Sequence, residues 1–113
     1  MEIEIEFYVT SSASCPFDDW FESIHEQHTR AKILTRLDRL RLGNFGDCKS
    51  VGDGISELRI DYGPGIRMYY SKTGNRVILL LCGGTKRTQD KNIGTAKEYL
   101  KEHHARGGKY GKK

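Results

Sequence analysis

The first nine residues alternate. Ile3, Ile5, Phe7 and Val9 fall on one side and Glu2, Glu4, Glu6 and Tyr8 on the other, the period of two that marks a half-buried strand. Pro16, followed by Asp18 and Asp19, has the character of a first helical turn, where proline forfeits no hydrogen bond and acids face the positive end of the dipole. Phe17, Trp20, Phe21 and Ile24 recur at i, i+3, i+4 and i+7, which places four large apolar groups on one core-facing stripe. A second helix is predicted over about Arg30 to Leu42. It buries Ile33, Leu34, Leu37 and Leu40, carries Arg30, Lys32, Arg36, Arg39 and Arg41 on its outer face, and stops at Gly43-Asn44.

From Asn44 the pattern changes to short strands and glycine turns, with a short strand allowed around Lys49 to Val51. Ser56 to Tyr62 alternates, with Leu58, Ile60 and Tyr62 on one side and Glu57, Arg59 and Asp61 on the other. Gly63-Pro64-Gly65 is a tight turn, and Ile66 to Lys72 is the returning strand of a hairpin. After Thr73-Gly74-Asn75 comes Arg76 to Cys82, apolar at successive positions and therefore a central strand covered on both faces, ended by Gly83-Gly84. A last helix starts near Thr88 with Ile93, Ala96 and Leu100 on its apolar face. The predicted class is α+β, in the order β-α-α-β-β-β-α: one twisted, mostly antiparallel sheet with a helical pair packed on it.

A chain of 113 residues makes one domain, expected over 1–105 and followed by a basic, disordered tail over 106–113. The longest apolar run, Val77 to Cys82, is far short of a membrane span, and the acidic start lacks a secretory pattern, so a cytoplasmic protein is expected. Three cysteines, Cys15, Cys48 and Cys82, without a CxxC motif point to free thiols. Charge is strongly segregated. Met1 to Thr29 holds seven acids and no Lys or Arg, whereas Gly84 to Lys113 holds nine basic residues against three acids. That asymmetry suggests a footprint for a polyanion, most directly RNA, although a solvated basic end has the same composition.

No GxSxG, P-loop, HExxH or metal-ligand spacing is present, and His25, His28, His103 and His104 read as surface or helix-end groups. No metal or other cofactor is expected. The remaining candidate chemistry is cationic: Arg59 and Arg67 on the hairpin, with Tyr69 beside them, and Lys86 and Arg87 after the central strand. Gln89 and Lys91 on the last helix, and Lys49 on the short strand, extend this surface as RNA-binding candidates. Such a set could hold a phosphate and stabilise the added negative charge when a neighbouring ribose 2′-OH attacks it, a reaction that needs no metal. The same spacing also fits cross-strand ion pairs on a solvated face.

Two blocks, "RLDRLRLGNFGDCKSVGDGISELRIDYGPGIRMYY" from Arg36 to Tyr70 and "ILLLCGGTKRTQDKNIGTAKEYL" from Ile78 to Leu100, resemble the addiction-module killer proteins. These form a HigB-like branch of the RelE/ParE toxin superfamily. The resemblance implies a compact RelE-like fold and a toxin of a type II toxin–antitoxin pair, neutralised by a cognate antitoxin, usually a helix-turn-helix protein from the adjacent gene. It further implies mRNA cleavage on the ribosome (an mRNA interferase) by basic residues with a tyrosine. By position, Arg59 matches a basic residue of the hairpin, Arg67 the arginine that stabilises the phosphate, and Arg87 the arginine after the last strand. Glu57 stands where a second basic residue is expected and Ile93 where the tyrosine is expected. Acid–base work would then pass to Tyr69, Glu57, Asp90 or Lys91. The ParE branch implies the alternative target, DNA gyrase, inhibited without catalysis.

Overall fold

A computed structural model describes residues 2–107; of the tail expected over 106–113, residues 108–113 lie outside the described residues. The elements run β1 (Glu4–Phe7), α1 (Pro16–Glu22), α2 (Gln27–Arg41), β2 (Cys48–Gly52), β3 (Ile55–Ile60), β4 (Ile66–Gly74), β5 (Val77–Thr85), a single 3-10 turn (Lys86–Thr88) and α3 (Gln89–Ala105). The sheet order is β1-β5-β4-β3-β2, with β1 parallel to β5 and every other pair antiparallel. The fold is α+β and consistent with the RelE-like arrangement.

Three layers follow from the pattern of apolar positions. On one face α1 and α2 pack Phe17, Ile33, Leu37 and Leu40 against Leu58, Ile60, Met68, Tyr70, Ile78 and Leu80. On the other, Ala96 and Leu100 of α3 cover Ile55, Tyr69, Leu79 and Leu81. β5 lies between β1 and β4 with helices over both faces, which is why Ile78 to Cys82 are all buried.

Several local expectations need correction. Gly83-Gly84 does not end the central strand, which continues to Thr85 and pairs Gly84 with Arg67 and Gly83 with Met68. The two glycines serve close packing instead. A Cβ on Gly83 would lie 2.3 Å from the Trp20 ring, and one on Gly84 would lie 2.0 Å from Asn92 Oδ1. Helix α2 starts earlier than predicted, capped by Glu26, whose carboxylate accepts from the backbone N–H of Thr29 and His28. Its buried stripe is Thr29, Ile33, Leu37 and Leu40, which leaves Leu34 half exposed. Ile24 packs on the same core from beyond the end of α1.

Tyr8 and His103 also differ from their surface assignments. Both are buried where the end of α3 crosses β1: Tyr8 stacks on Tyr99 at 4.9 Å and donates to Glu102, and the His103 ring meets it edge-on at 6.3 Å. Arg106 extends this contact, pairing with Glu102 at 2.6 Å and donating to the Val9 carbonyl at 2.6 Å. Cys15, Cys48 and Cys82 are free thiols, and burial pushes Cys82 up to about 12, so it stays protonated. Among the described residues no helix is long and apolar enough to cross a membrane.

Arg36 is not on the outer face of α2. Its guanidinium turns inward, donating Nη1 to the Arg59 carbonyl at 2.6 Å and Nη2 to the Phe45 carbonyl at 3.1 Å, and so ties α2 to β3 and to the loop before β2. Arg36→Ala strands two carbonyls and is expected to cost about 2 kcal/mol. Urea unfolding should show a lower midpoint with an unchanged slope. An unaltered midpoint would mean that water replaces both contacts.

Candidate functional site

The hairpin of β3 and β4 turns through Gly63-Pro64-Gly65, and its register sets Arg59 directly opposite Arg67 and Glu57 directly opposite Tyr69. Two arginines facing each other across a ladder repel unless something anionic compensates them. Each has a carboxylate close by. Arg59, one-third exposed, donates Nη2 to Asp47 Oδ1 at 3.1 Å. Arg67 is 8% exposed and its Nε lies 4.0 Å from Glu57 Oε2, an ion pair without a hydrogen bond, while Nη1 reaches the Ile66 carbonyl at 3.3 Å. The Nε–H groups of both arginines are buried and have no hydrogen-bond acceptor, an uncommon state for a buried donor.

Glu57 anchors the site from beneath. It is fully buried, and its Oε2 accepts from the Tyr69 hydroxyl at 2.9 Å and from Gln89 Nε2 at 2.7 Å. The Gln89 bond joins the first residue of α3 to β3, and Gly84 lets α3 approach that closely. Tyr69 is itself fully buried; burial first, and then its bond to Glu57, raise its pKa well above the ordinary tyrosine value. Its phenol therefore stays protonated and turned toward Glu57.

Above this layer opens a cleft of about 480 Å³ lined by Asp47, Arg59, Asp61, the Gly63-Pro64-Gly65 turn, Arg67 and Lys86. Lys86 is exposed on the 3-10 turn, and its backbone N–H is fixed to the Gly65 carbonyl at 2.7 Å. Three cations thus face two carboxylates around a space that would hold a phosphate and its ester oxygens.

Of the residues singled out in the sequence, the cleft gathers Arg59, Arg67 and Lys86. Tyr69 and Gln89 lie in the supporting layer. Arg87 and Lys91 are exposed on the 3-10 turn and the first turn of α3, outside the cleft wall, and Lys49 is exposed on β2, opposite Glu57 in register. Asp47 and Asp61 were not identified as lining residues. Asp47 could have been placed through the β2–β3 hairpin, because a Cys48–Leu58 pair sets it beside Arg59. Among the described residues no group of three or more His, Cys, Asp or Glu side chains is arranged to hold a metal ion.

Comparison with known proteins gives two findings. The family described as Phage derived protein Gp49-like (DUF891) matches residues 19–101, a span that contains every residue of the cleft and of its supporting layer. A protein of Haemophilus influenzae, described as uncharacterized, is 50% identical over 86 residues, covering 76% of this chain and 87% of the relative.

Proposed function

The chain belongs to the phage-derived Gp49-like family, a toxin-like family of toxin–antitoxin systems, and from that premise we propose that it arrests growth by cutting messenger RNA on the ribosome. The observation that supports this reading is the Arg59–Arg67 pair, held opposite each other across the hairpin and gathered with Lys86 on the wall of one cleft large enough for a phosphodiester and its sugar. In the proposed reaction a ribose 2′-oxygen attacks its own 3′-phosphate, the bond to the 5′-oxygen of the next nucleotide breaks, and a cyclic phosphate forms. The 2′ proton must leave and the departing 5′-oxygen must gain one. Asp47 is engaged by Arg59, so exposed Asp61 is the carboxylate placed to accept the proton, and Lys86 is the ammonium placed to donate one. Arg59 and Arg67 offset the charge that builds on the phosphorane. Tyr69 acts indirectly, through Glu57.

The test is induction in cells with translation and plasmid supercoiling followed together. Loss of protein synthesis with shortened transcripts is expected first; relaxed plasmid with intact mRNA would replace the ribonuclease by a gyrase inhibitor. Arg59→Ala is the cleanest variant. Its partner Asp47 is exposed, so stability should change by no more than about 1 kcal/mol, while cleavage should fall on the order of a hundredfold. A folded Arg59→Ala protein that arrests growth at wild-type dose would remove the arginine pair from the mechanism. The reading also requires an antitoxin with an acidic or amphipathic segment, encoded beside this gene, whose co-expression restores growth.

A further inference from the structure

A second concavity adjoins the cleft and is of opposite character. It measures about 610 Å³ and is lined by Trp20, Ile24, His25, Glu26, Thr29, Tyr62, Gly63, Pro64, Ile66 and Thr85. Gly63 and Pro64 line both spaces. Strand alternation explains the division within β4, where the consecutive residues Ile66 and Arg67 point to opposite faces of the sheet, and the same split is seen at and just beyond the ends of β3 and β5. Asp61 lines the cleft and Tyr62 the groove; Arg67 the cleft and Ile66 the groove; Lys86 the cleft and Thr85 the groove. The two sites therefore open on opposite faces at the same end of the sheet, separated only by the tip of the Gly-Pro-Gly turn.

We infer that the groove receives an unpaired base of single-stranded RNA whose neighbouring phosphate occupies the arginine cleft. The inference rests on the ribonuclease reading and extends it to a base-binding subsite. His25 is exposed at the rim, and the partly buried rings of Trp20 and Tyr62 offer the surface that Phe17 and Lys32, 4.8 Å over the Tyr62 ring, leave open for stacking. Glu26, the exposed cap of α2, keeps its carboxylate at the same rim. An extended peptide is less well served. The groove lies at the ends of β4 and β5, the inner strands, and not along β1 or β2, the edges, so it offers no free ladder for a peptide backbone. The shared lip supplies the second argument: a flexible nucleic-acid strand presents alternating anionic and flat apolar groups, the two chemistries that the lip separates.

Trp20 is the sole tryptophan of the chain and lines the groove, so its fluorescence reports occupancy directly. The full-length protein is titrated with a 2′-O-methyl trinucleotide, which cannot be cleaved, with the same trinucleotide made abasic, and with inorganic pyrophosphate. The trinucleotide should quench Trp20, the abasic chain should bind about tenfold more weakly without quenching, and pyrophosphate should bind without quenching. Tyr62→Ala should lower trinucleotide affinity about tenfold, and Tyr62→Phe, which keeps the ring and its packing, should retain it. Binding that depends on Arg59 but is equal for the base-bearing and abasic chains overturns the subsite while leaving the phosphate cleft in place. Binding indifferent to Arg59 counts against the cleft reading instead. No response to the trinucleotide, with quenching by an acidic amphipathic peptide, overturns the inference and gives the groove to a protein partner.

Discussion

Arg67→Ala is expected both to abolish toxicity and to unfold the protein at markedly lower temperature, because this arginine serves the cleft and the interior together. On the sequence alone it looks like a surface residue that could be truncated at little cost. In the fold it is 8% exposed, and it supplies the cation beside a carboxylate, Glu57, that is wholly buried. Removing one partner of a buried pair typically costs about 3–5 kcal/mol, since the remaining charge keeps its desolvation penalty and loses its compensation. The low end applies here: the pair is 4.0 Å long, and Tyr69 and Gln89 still hydrogen-bond the carboxylate. About 3 kcal/mol in a domain of this size lowers the melting temperature by more than about 10 °C.

A second substitution separates the two roles. Glu57→Gln in the Arg67→Ala background removes the stranded charge while keeping the shape and a group able to accept from Tyr69. The double variant should therefore recover most of the lost stability, giving a coupling of about 2 kcal/mol in thermal denaturation. Toxicity should not return, because the phosphate contact is still missing, at a cost on the order of a hundredfold in rate. A stable double variant that kills at wild-type dose would place the chemistry elsewhere. If both single variants and the double melt like wild type, the Glu57–Arg67 pair has no structural weight.

What could be read in advance follows from how local each signal is. The centrality of β5 was legible because six apolar residues in a row leave no face for water. The Arg59–Arg67 pairing was implicit in the hairpin, since a five-residue turn centred on Gly63 brings positions 59 and 67 opposite each other. The burial of Arg67 was not legible. Period-two alternation puts it on a polar face, and only the non-local crossing of α3 turns part of that face into interior. Tyr8 and His103 were misassigned for the same reason, at the other end of α3. Arg87 and Lys91 escaped placement differently: they follow the strand on a 3-10 turn and a helix, where strand alternation no longer says which way a side chain points. Arg36 sits between apolar stripe positions and reads as surface until the carbonyls of Arg59 and Phe45 are known to lie within its reach.

Gly83→Ala is expected to destabilise the fold about as much as a typical core truncation, although it adds only a methyl group. The new Cβ would stand 2.3 Å from Cε3 and 2.4 Å from Cζ3 of Trp20, well inside contact distance. The obstacle is an indole packed between this strand and Phe17, whose ring centre is 5.4 Å away, so it cannot swing aside as the end of a flexible chain would. Helix α1 must shift off β5, and overpacking of this kind costs about 3 kcal/mol. Thermal denaturation should show the loss, and a red-shifted Trp20 emission should show the ring expelled toward water. Pairing Gly83→Ala with Trp20→Leu makes room for the methyl, so the double variant should be more stable than the two single losses predict. Gly94→Ala is the opposing control: it lies within α3, a Cβ there meets nothing within 4 Å, and the exchange should stabilise by about 0.5–1 kcal/mol. Equal, small effects at Gly83 and Gly94 would mean that α1 does not hold Trp20 against the strand, and the wall of the apolar groove would lose its rigidity with it.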